Sequence, residues 1–302
     1  MISVKNPPTR LIKILRENNS MDYYKHSDYL RKRFGVKVHK VSVDAGFACP
    51  NRDGKISRTG CIYCDNKAFN FQSRSGHKLS IEEQIETGMA QARKRFKAEK
   101  FIVYFQANTN TYASLEELKD KYNVVKKFKD VVSISIATRP DCVDKDILNL
   151  ISGYARDYEV WIEYGLQSIH DKTLEFINRG HNYDAFLKAF ALTREYPVRV
   201  CVHVILGLPG ETEDMMMKTA TEVARLKIDA IKIHPLHIVR GTVLEKVYQE
   251  GAYTPLSLDE YSRLLKEFLK RLPPDVIVQR LSAYCPKDIL VAPAWVSERH
   301  VF

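Results

Sequence analysis

Three of the six cysteines, Cys49, Cys61 and Cys64, fall within sixteen positions, separated by eleven residues and then by two. Thiolates at such spacing bind zinc or iron–sulfur clusters. Three ligands are one short of a closed tetrahedral site, and an incomplete coordination sphere leaves a position for chemistry. The cysteines alone leave two readings open: a Cys₃His zinc site completed by His77, or an iron–sulfur cluster with one open iron. Tyr63, between the last two cysteines, is placed to pack against a flat cofactor. Arg52, Lys55 and Arg58 would offset the negative charge of a thiolate-ligated cluster and so tune its potential. Cys142, Cys201 and Cys285 are scattered singly and read as small buried side chains, with a radical-quenching role left open for Cys201.

The elements around this loop alternate. Apolar, β-rich runs recur at Val38–Val43, Phe101–Phe105, Val131–Ala137, Glu159–Leu166, Val198–Leu208 and Ala230–Leu236. Between them lie helix patterns over Ser80–Lys97, Ser114–Phe128, Asp184–Glu195 and Glu213–Leu226, and a further one follows at Ser257–Arg271. Ser80/Glu83, Ser114/Glu117 and Ser257/Glu260 fit capping boxes. Continuously apolar strands alternating with helices predict a parallel sheet covered by helices. Six units suit an α/β fold of the partial (β/α)₆, TIM-like barrel type, whose active-site residues gather at the C-terminal strand ends. The cysteine loop begins at that end of the first strand. We divide the chain into a basic aromatic segment (1–37), the partial barrel (38–250) and a C-terminal helix and strand extension (251–302). In the extension, Val276–Leu281 and Ile289–Ala292 would extend or cover the barrel.

With 45% hydrophobic residues in 302, the chain can bury a substantial core. It has no apolar run of the ~18 residues that span a bilayer, and no secretory h-region at Met1–Lys5. Sparse, scattered cysteine fits a reducing cytoplasm. The formal charge of +10 is concentrated in residues 1–40, which carry ten Lys/Arg against three acids. There Tyr23, Tyr24, Tyr29 and Phe34 interleave with Lys25, Arg31, Lys32 and Arg33. Basic charge attracts phosphate and aromatic rings stack on unpaired bases; a solvated segment packed on the barrel gives the same pattern.

The cysteine motif, Asp44-Ala45-Gly46-Phe47-x-Cys49-Pro50-Asn51-Arg52-Asp53-Gly54 through Cys64, resembles the radical S-adenosylmethionine (SAM) superfamily. Its long first gap, in place of the usual Cys-x₃-Cys-x₂-Cys, is similar to the branch related to the Elongator catalytic subunit. The resemblance continues through Ala137-Thr138-Arg139-Pro140-Asp141, Glu163-x-Gly165-x-Gln167-Ser168, Asn178-Arg179-Gly180-His181, Gly207-Leu208-Pro209-Gly210-Glu211 and His234-Pro235-Leu236-His237. It implies that Cys49, Cys61 and Cys64 hold three irons of a [4Fe–4S] cluster and that SAM chelates the fourth. One electron would then break the sulfonium bond to give a 5′-deoxyadenosyl radical. It also implies that Glu163 and Gln167 reach the ribose, that His203 faces the cofactor, and that the backbone near Leu236 reads the adenine edge. Pairing of Glu163 with Arg139 or Arg199 is the structural alternative. The family's Gly-Gly-Glu after the second strand is missing; Gln106 and Asn110 are its uncharged substitutes.

That branch is associated with tRNA wobble-uridine modification. The implied reaction trims a carboxymethylaminomethyl group at uridine C5 to aminomethyl, with flavodoxin or ferredoxin as reductant. Arg139 and Arg240 are candidates to hold an anionic substrate group, and Lys25, Arg31, Lys32 and Arg33 to dock tRNA. The sequence after the barrel is too short for an acetyltransferase domain, so acetyl transfer is not expected. Two rivals remain: a radical SAM enzyme acting on a small metabolite or a protein, and a metal-dependent nucleic-acid-binding module without turnover.

Overall fold

The computed structural model describes residues 23–65 and 79–298; His77 lies outside them. The strands are β1 (Tyr24–Lys25), β2 (Val38–Val43), β3 (Lys100–Phe105), β4 (Val131–Thr138), β5 (Glu159–Gln167), β6 (Arg199–Leu206), β7 (Ala230–Pro235), β8 (Ile238–Val239), β9 (Ile277–Arg280) and β10 (Leu290–Ala292). The helices are α1 (His26–Phe34), α2 (Ile81–Phe96), α3 (Leu115–Asn123), α4 (Lys145–Ser152), α5 (Asp171–Phe176), α6 (Tyr183–Thr193), α7 (Glu213–Arg225), α8 (Val243–Gln249) and α9 (Leu258–Leu269). The six expected barrel strands, β2 to β7, are all present and pair in sequence order. Two further strands extend them, giving an eight-stranded sheet in the order β1-β9-β7-β6-β5-β4-β3-β2. Every pairing in it is parallel. The result is a curled half-barrel. The segment β10, expected to extend or cover the barrel, instead pairs antiparallel with β8 as a separate ribbon.

The strand period of two sorts the concave side into layers. At the N-terminal strand ends an apolar floor of Ile102, Trp161, Cys201, Ala230 and Ile277 rests on Tyr29 and Leu30 of α1. Two residues further along each strand comes a polar layer containing Lys40, Tyr104, Ser135, Glu163, His203 and Lys232. Two further still, Gln106, Ala137, Gly165, Ile205 and His234 line an open cavity. Helix α1 is fixed under the floor by Glu159, which accepts hydrogen bonds from Tyr29 Oη, Arg33 Nε and Trp161 Nε1.

The helix starts follow the capping residues. Ser80 and Ser257 form full capping boxes with Glu83 and Glu260. At α3 only half of the expected box forms. Ser114 accepts from the Glu117 amide, while the Glu117 carboxylate turns to Lys121 at 2.7 Å. Contact between α2 and β2 depends on Gly88, where an added Cβ would lie 2.4 Å from Val41 Cγ1. Alanine gains about 1 kcal/mol in helix propensity, but overpacking costs about 1–3 kcal/mol. Gly88→Ala should therefore lower the urea unfolding midpoint; an unchanged or raised midpoint would show that Val41 can yield.

Candidate functional site

The cysteine loop leaves the C-terminal end of β2 and folds over the barrel mouth. Its backbone turns at Cys49, whose carbonyl accepts from the Arg52 and Asp53 amides. Cys64 N–H closes onto the Cys61 carbonyl at 3.0 Å. Two of the three sulfurs receive donors: Asn51 Nδ2 and Arg179 Nη1 at 3.6 Å from Cys61 Sγ, and Arg52 Nη1 at 3.5 Å from Cys64 Sγ. Arg179 is held in turn by the Gly165 carbonyl at 2.7 Å. Gly165 has to lack a side chain, because a Cβ there would lie 2.6 Å from Arg179 Nη2. Arg139 donates to the Arg179 carbonyl at 2.7 Å and clamps Asp141 through two bonds of 2.9 Å.

This donor set suits a thiolate-ligated cluster. Two guanidinium groups approach buried sulfurs, which is charge compensation appropriate to thiolates. Burial and the neighbouring Cys61 push the Cys64 thiol up to about 12. Among the described residues, only Glu163, Cys201 and His203 bring three such ligand atoms within 4.8 Å of one another; the three loop sulfurs are spread more widely. A zinc ion ~2.3 Å from each sulfur would require a tighter triangle.

Below the loop lies a cavity of about 300 Å³, lined by Cys49, Cys61, Tyr63 and Cys64 on one side and by the strand ends on the others. Its inner end is the polar layer. Glu163 there is fully buried. Its Oε1 accepts from Lys40 Nζ at 3.2 Å and from Ser135 Oγ at 2.5 Å. Its Oε2 accepts from His203 Nε2 at 2.7 Å and from Lys232 Nζ. Burial opposes ionisation of Glu163, but the ammonium groups of Lys232 and Lys40 outweigh it and hold the carboxyl well below its usual range. Burial lowers Lys232 to about 7, against the pull of Glu163. Burial and Lys232 lower His203 to about 4, so its ring is neutral and donates from Nε2. The same lysines already neutralise Glu163, so the Glu163–Cys201–His203 group has no anionic charge left for a metal ion.

The sequence-derived candidates separate in space. Cys49, Cys61, Cys64, Tyr63, Gln106, Glu163, Gln167, His203, Leu236 and Arg139 all line the cavity. Asn110 does not: its amide donates to the Ala107 and Ala137 carbonyls at 3.0 and 2.8 Å and ties the β3 and β4 loops together. The Leu236 N–H is committed to the Leu206 carbonyl at 3.0 Å, leaving its carbonyl to meet a ligand. Glu163 pairs with neither Arg139 nor Arg199; the lysines take those places. Arg240 is exposed beyond β8, outside the cavity. Lys25, Arg31, Lys32 and Arg33 lie at the floor, roughly 20 Å of strand from the mouth. Cys201 and Cys285 are fully buried, whereas Cys142 is half-buried. Sequence reasoning gave no role to Lys40, Lys232, Asn51, Arg179 or Arg280. A lysine amid the apolar run Ala230–Pro235 was the available signal.

A half-barrel with three cysteines at its strand ends defines a class, and the comparisons name it. Residues 49–223 match the family model described as the radical SAM superfamily, and residues 228–302 match the radical SAM C-terminal domain. The chain belongs to the radical SAM superfamily and has the fold of its enzymes. It is 39% identical to protein YhcC of Escherichia coli K12 over 89% of this chain and 86% of that one. It is 30% identical to a tRNA uridine(34) acetyltransferase of Methanocaldococcus jannaschii over 59% of this chain, spanning 33% of that protein. The solved structure of archaeal Methanocaldococcus infernus Elp3 with an N-terminal deletion superposes with a TM-score of 0.63 at 21% identity. That match covers 85% of this chain and 59% of the other, and establishes shared fold.

Removing the charge of Glu163 while keeping its shape strands the buried ammonium of Lys232 and takes a partner from the half-buried Lys40. Glu163→Gln should cost about 3–5 kcal/mol of stability. Adding Lys232→Met should return part of that loss in a double-mutant cycle read by urea unfolding. Additive losses would show that the two groups do not depend on each other.

Proposed function

We propose that this chain is a radical SAM enzyme. In this reading Cys49, Cys61 and Cys64 hold a [4Fe–4S] cluster, SAM occupies the cavity, and the substrate is the C5 side chain of a tRNA wobble uridine. The observation that carries it is the cysteine triplet at the mouth of a cavity, with Arg52 and Arg179 directed at two of its sulfurs. When bound, the cluster would supply one electron for cleavage of SAM.

The residues present suit the remaining tasks. Tyr63, Ile205 and Leu236 give apolar walls that exclude water from a reactive species. Gln106, Gln167 and the buried hydroxyl of Thr109, which has no hydrogen-bond partner among the described residues, offer polar contacts that orient a bound nucleoside. Gly-Gly-Glu is missing, yet Ala107 and Asn108 both adopt left-handed backbone, at φ 67° and 58°. Such conformation is native to glycine, so the backbone of this turn follows a glycine-like path beside the cavity that it lines. The 1–37, 38–250 and 251–302 divisions, a cytoplasmic location and a flavodoxin or ferredoxin donor belong to the same reading. Among the described residues no helix is long and apolar enough to cross a membrane.

Anaerobically purified protein should be brown, hold about four irons, and release 5′-deoxyadenosine from SAM after reduction. Cys49→Ala, Cys61→Ala and Cys64→Ala should each lose the colour and the product. A colourless protein that retains one zinc and leaves SAM intact would reject the enzyme.

The tRNA substrate rests on the uridine-34 relatives and the basic charge. Around the mouth that charge is carried by exposed Arg52, Lys55, Arg58 and Arg240. tRNA from cells lacking the gene should accumulate carboxymethylaminomethyluridine, and an unchanged nucleoside profile would sink the substrate. Replacing Lys55, Arg58 and Arg240 together by glutamine should reduce the salt slope of tRNA binding by roughly 2–3. The same loss on replacing Lys25, Arg31, Lys32 and Arg33 instead would place docking at the floor.

A further inference from the structure

We propose that Lys232 and Arg280 form a binding subsite for a carboxylate on the substrate, at the inner end of the cavity. This deepens the tRNA reading and, for the identity of the substrate, rests on it.

The argument begins with strand geometry. In a regular strand successive side chains point to opposite faces. Yet Gln279 and Arg280, consecutive at the end of β9, both serve the concave side. Gln279 accepts from Lys40 Nζ at 3.0 Å, and Arg280 lines the cavity. The β7–β9 pairing is irregular between Ile231 and Lys232, and there Lys232 becomes the register partner of Arg280. Irregularities of this kind re-aim a side chain and are common beside active sites. Here the effect is to set a guanidinium next to an ammonium facing the same space.

Charge makes the second part of the argument. Lys40 and Lys232 contact one carboxylate, Glu163, and Arg280 stands beside Lys232 in the register, while His203 and His234 are held neutral by burial, His203 also by Lys232 and His234 also by Arg280. The inner end therefore carries positive charge in excess of its one carboxylate. Lys40 is occupied by Glu163 and Gln279 and does not line the cavity. Lys232 donates a hydrogen bond to Glu163, lies over the Tyr104 ring at 4.2 Å and lines the cavity. Arg280 makes no side-chain hydrogen bond or ion pair among the described residues. Two neighbouring cations lining one cavity, one of them a guanidinium without a side-chain partner among the described residues, fit a single carboxylate, which the planar guanidinium can hold through two bonds. In the proposed reading the SAM carboxylate would be held by the cluster that Cys49, Cys61 and Cys64 bind, which would leave this subsite to the substrate.

The test uses the reconstituted full chain with SAM bound and two probes, 5-carboxymethylaminomethyluridine and N-ethylglycine, each compared with its own carboxamide by calorimetry. Wild-type protein should bind each acid about tenfold or more tightly than its amide. Arg280→Gln should erase that preference at an unchanged melting temperature, and Arg280→Lys should restore part of it. The Michaelis constant for SAM in substrate-free 5′-deoxyadenosine release should stay within about twofold of wild type. Equal binding of acid and amide by both probes, or an Arg280→Gln protein that keeps the preference, overturns the subsite. A tenfold rise in the SAM constant would reassign the pair to the cofactor and also overturns it. Acid preference with N-ethylglycine but no binding of the nucleoside keeps the subsite and rejects the uridine.

Discussion

The ionised Glu163 carboxylate sets the depth of everything above it. A carboxylate with no exposure survives only when its oxygens are fully hydrogen-bonded and its charge compensated. Lys40, Lys232, Ser135 and His203 do this from four different strands, β2, β7, β4 and β6. The network therefore ties the first and last strands of the core barrel to its centre. It also divides the interior. Below it the apolar floor packs against α1, with the Tyr29 hydroxyl and the Trp161 indole N–H both satisfied by Glu159; above it the side chains become small or polar and the cavity opens.

A second constraint joins the mouth to the strand ends. Arg179 reaches both Cys61 and the Gly165 carbonyl, so the cysteine loop is positioned relative to β5 by one guanidinium. Asn51 and Asn178 add to this join, Asn51 by donating to the Asn178 carbonyl at 2.6 Å and Asn178 by donating to the Gly60 carbonyl at 2.7 Å. Gly180, at φ 74°, permits the approach, since a Cβ there would lie 2.8 Å from Asn51 Oδ1. An eleven-residue gap between the first two cysteines is long enough to need such bracing. The bracing residues come from the 178–180 turn, more than a hundred positions downstream.

Much of this was legible in the sequence, for identifiable reasons. The six core strands are continuous apolar runs, and the helix starts carry capping residues, so local patterns report them. The cysteine spacing reports a soft-ligand site, and its position after Val43 places it at the mouth. The eighth strand was not legible because Tyr24–Lys25 is two residues long and exists only through pairing with β9. The cations opposite Glu163 were misread because Arg139 and Arg199 were judged by charge and neighbourhood. Arg139 is taken locally by Asp141, two residues on, whereas the partners of Arg199, Glu159 and Asp229, depend on strand register. The Asn110 amide nitrogen serves two backbone carbonyls, and an amide at a strand end suits a ligand and a backbone carbonyl equally well.

Register also changes the meaning of the basic N-terminal segment. At the floor, Arg33 and Arg199 meet Glu159, and Arg194 and Arg199 meet Asp229. Part of the positive charge there is thus spent on holding α1 and the strand beginnings together, and exposed pairs of this kind leave little field at a distance. At the mouth, Lys55 and Arg58 form no ion pair among the described residues, and Arg52 turns its guanidinium toward Cys64. Net charge alone points to the N-terminus as the place where a polyanion would dock. Once each cation is assigned its partner among the described residues, Lys25, Arg31 and Lys32 at the floor remain without an ion pair, but beside the cavity unpaired charge stands both around the rim, at Lys55 and Arg58, and at the inner end, at Arg280. An anionic substrate carrying its own carboxylate would meet both.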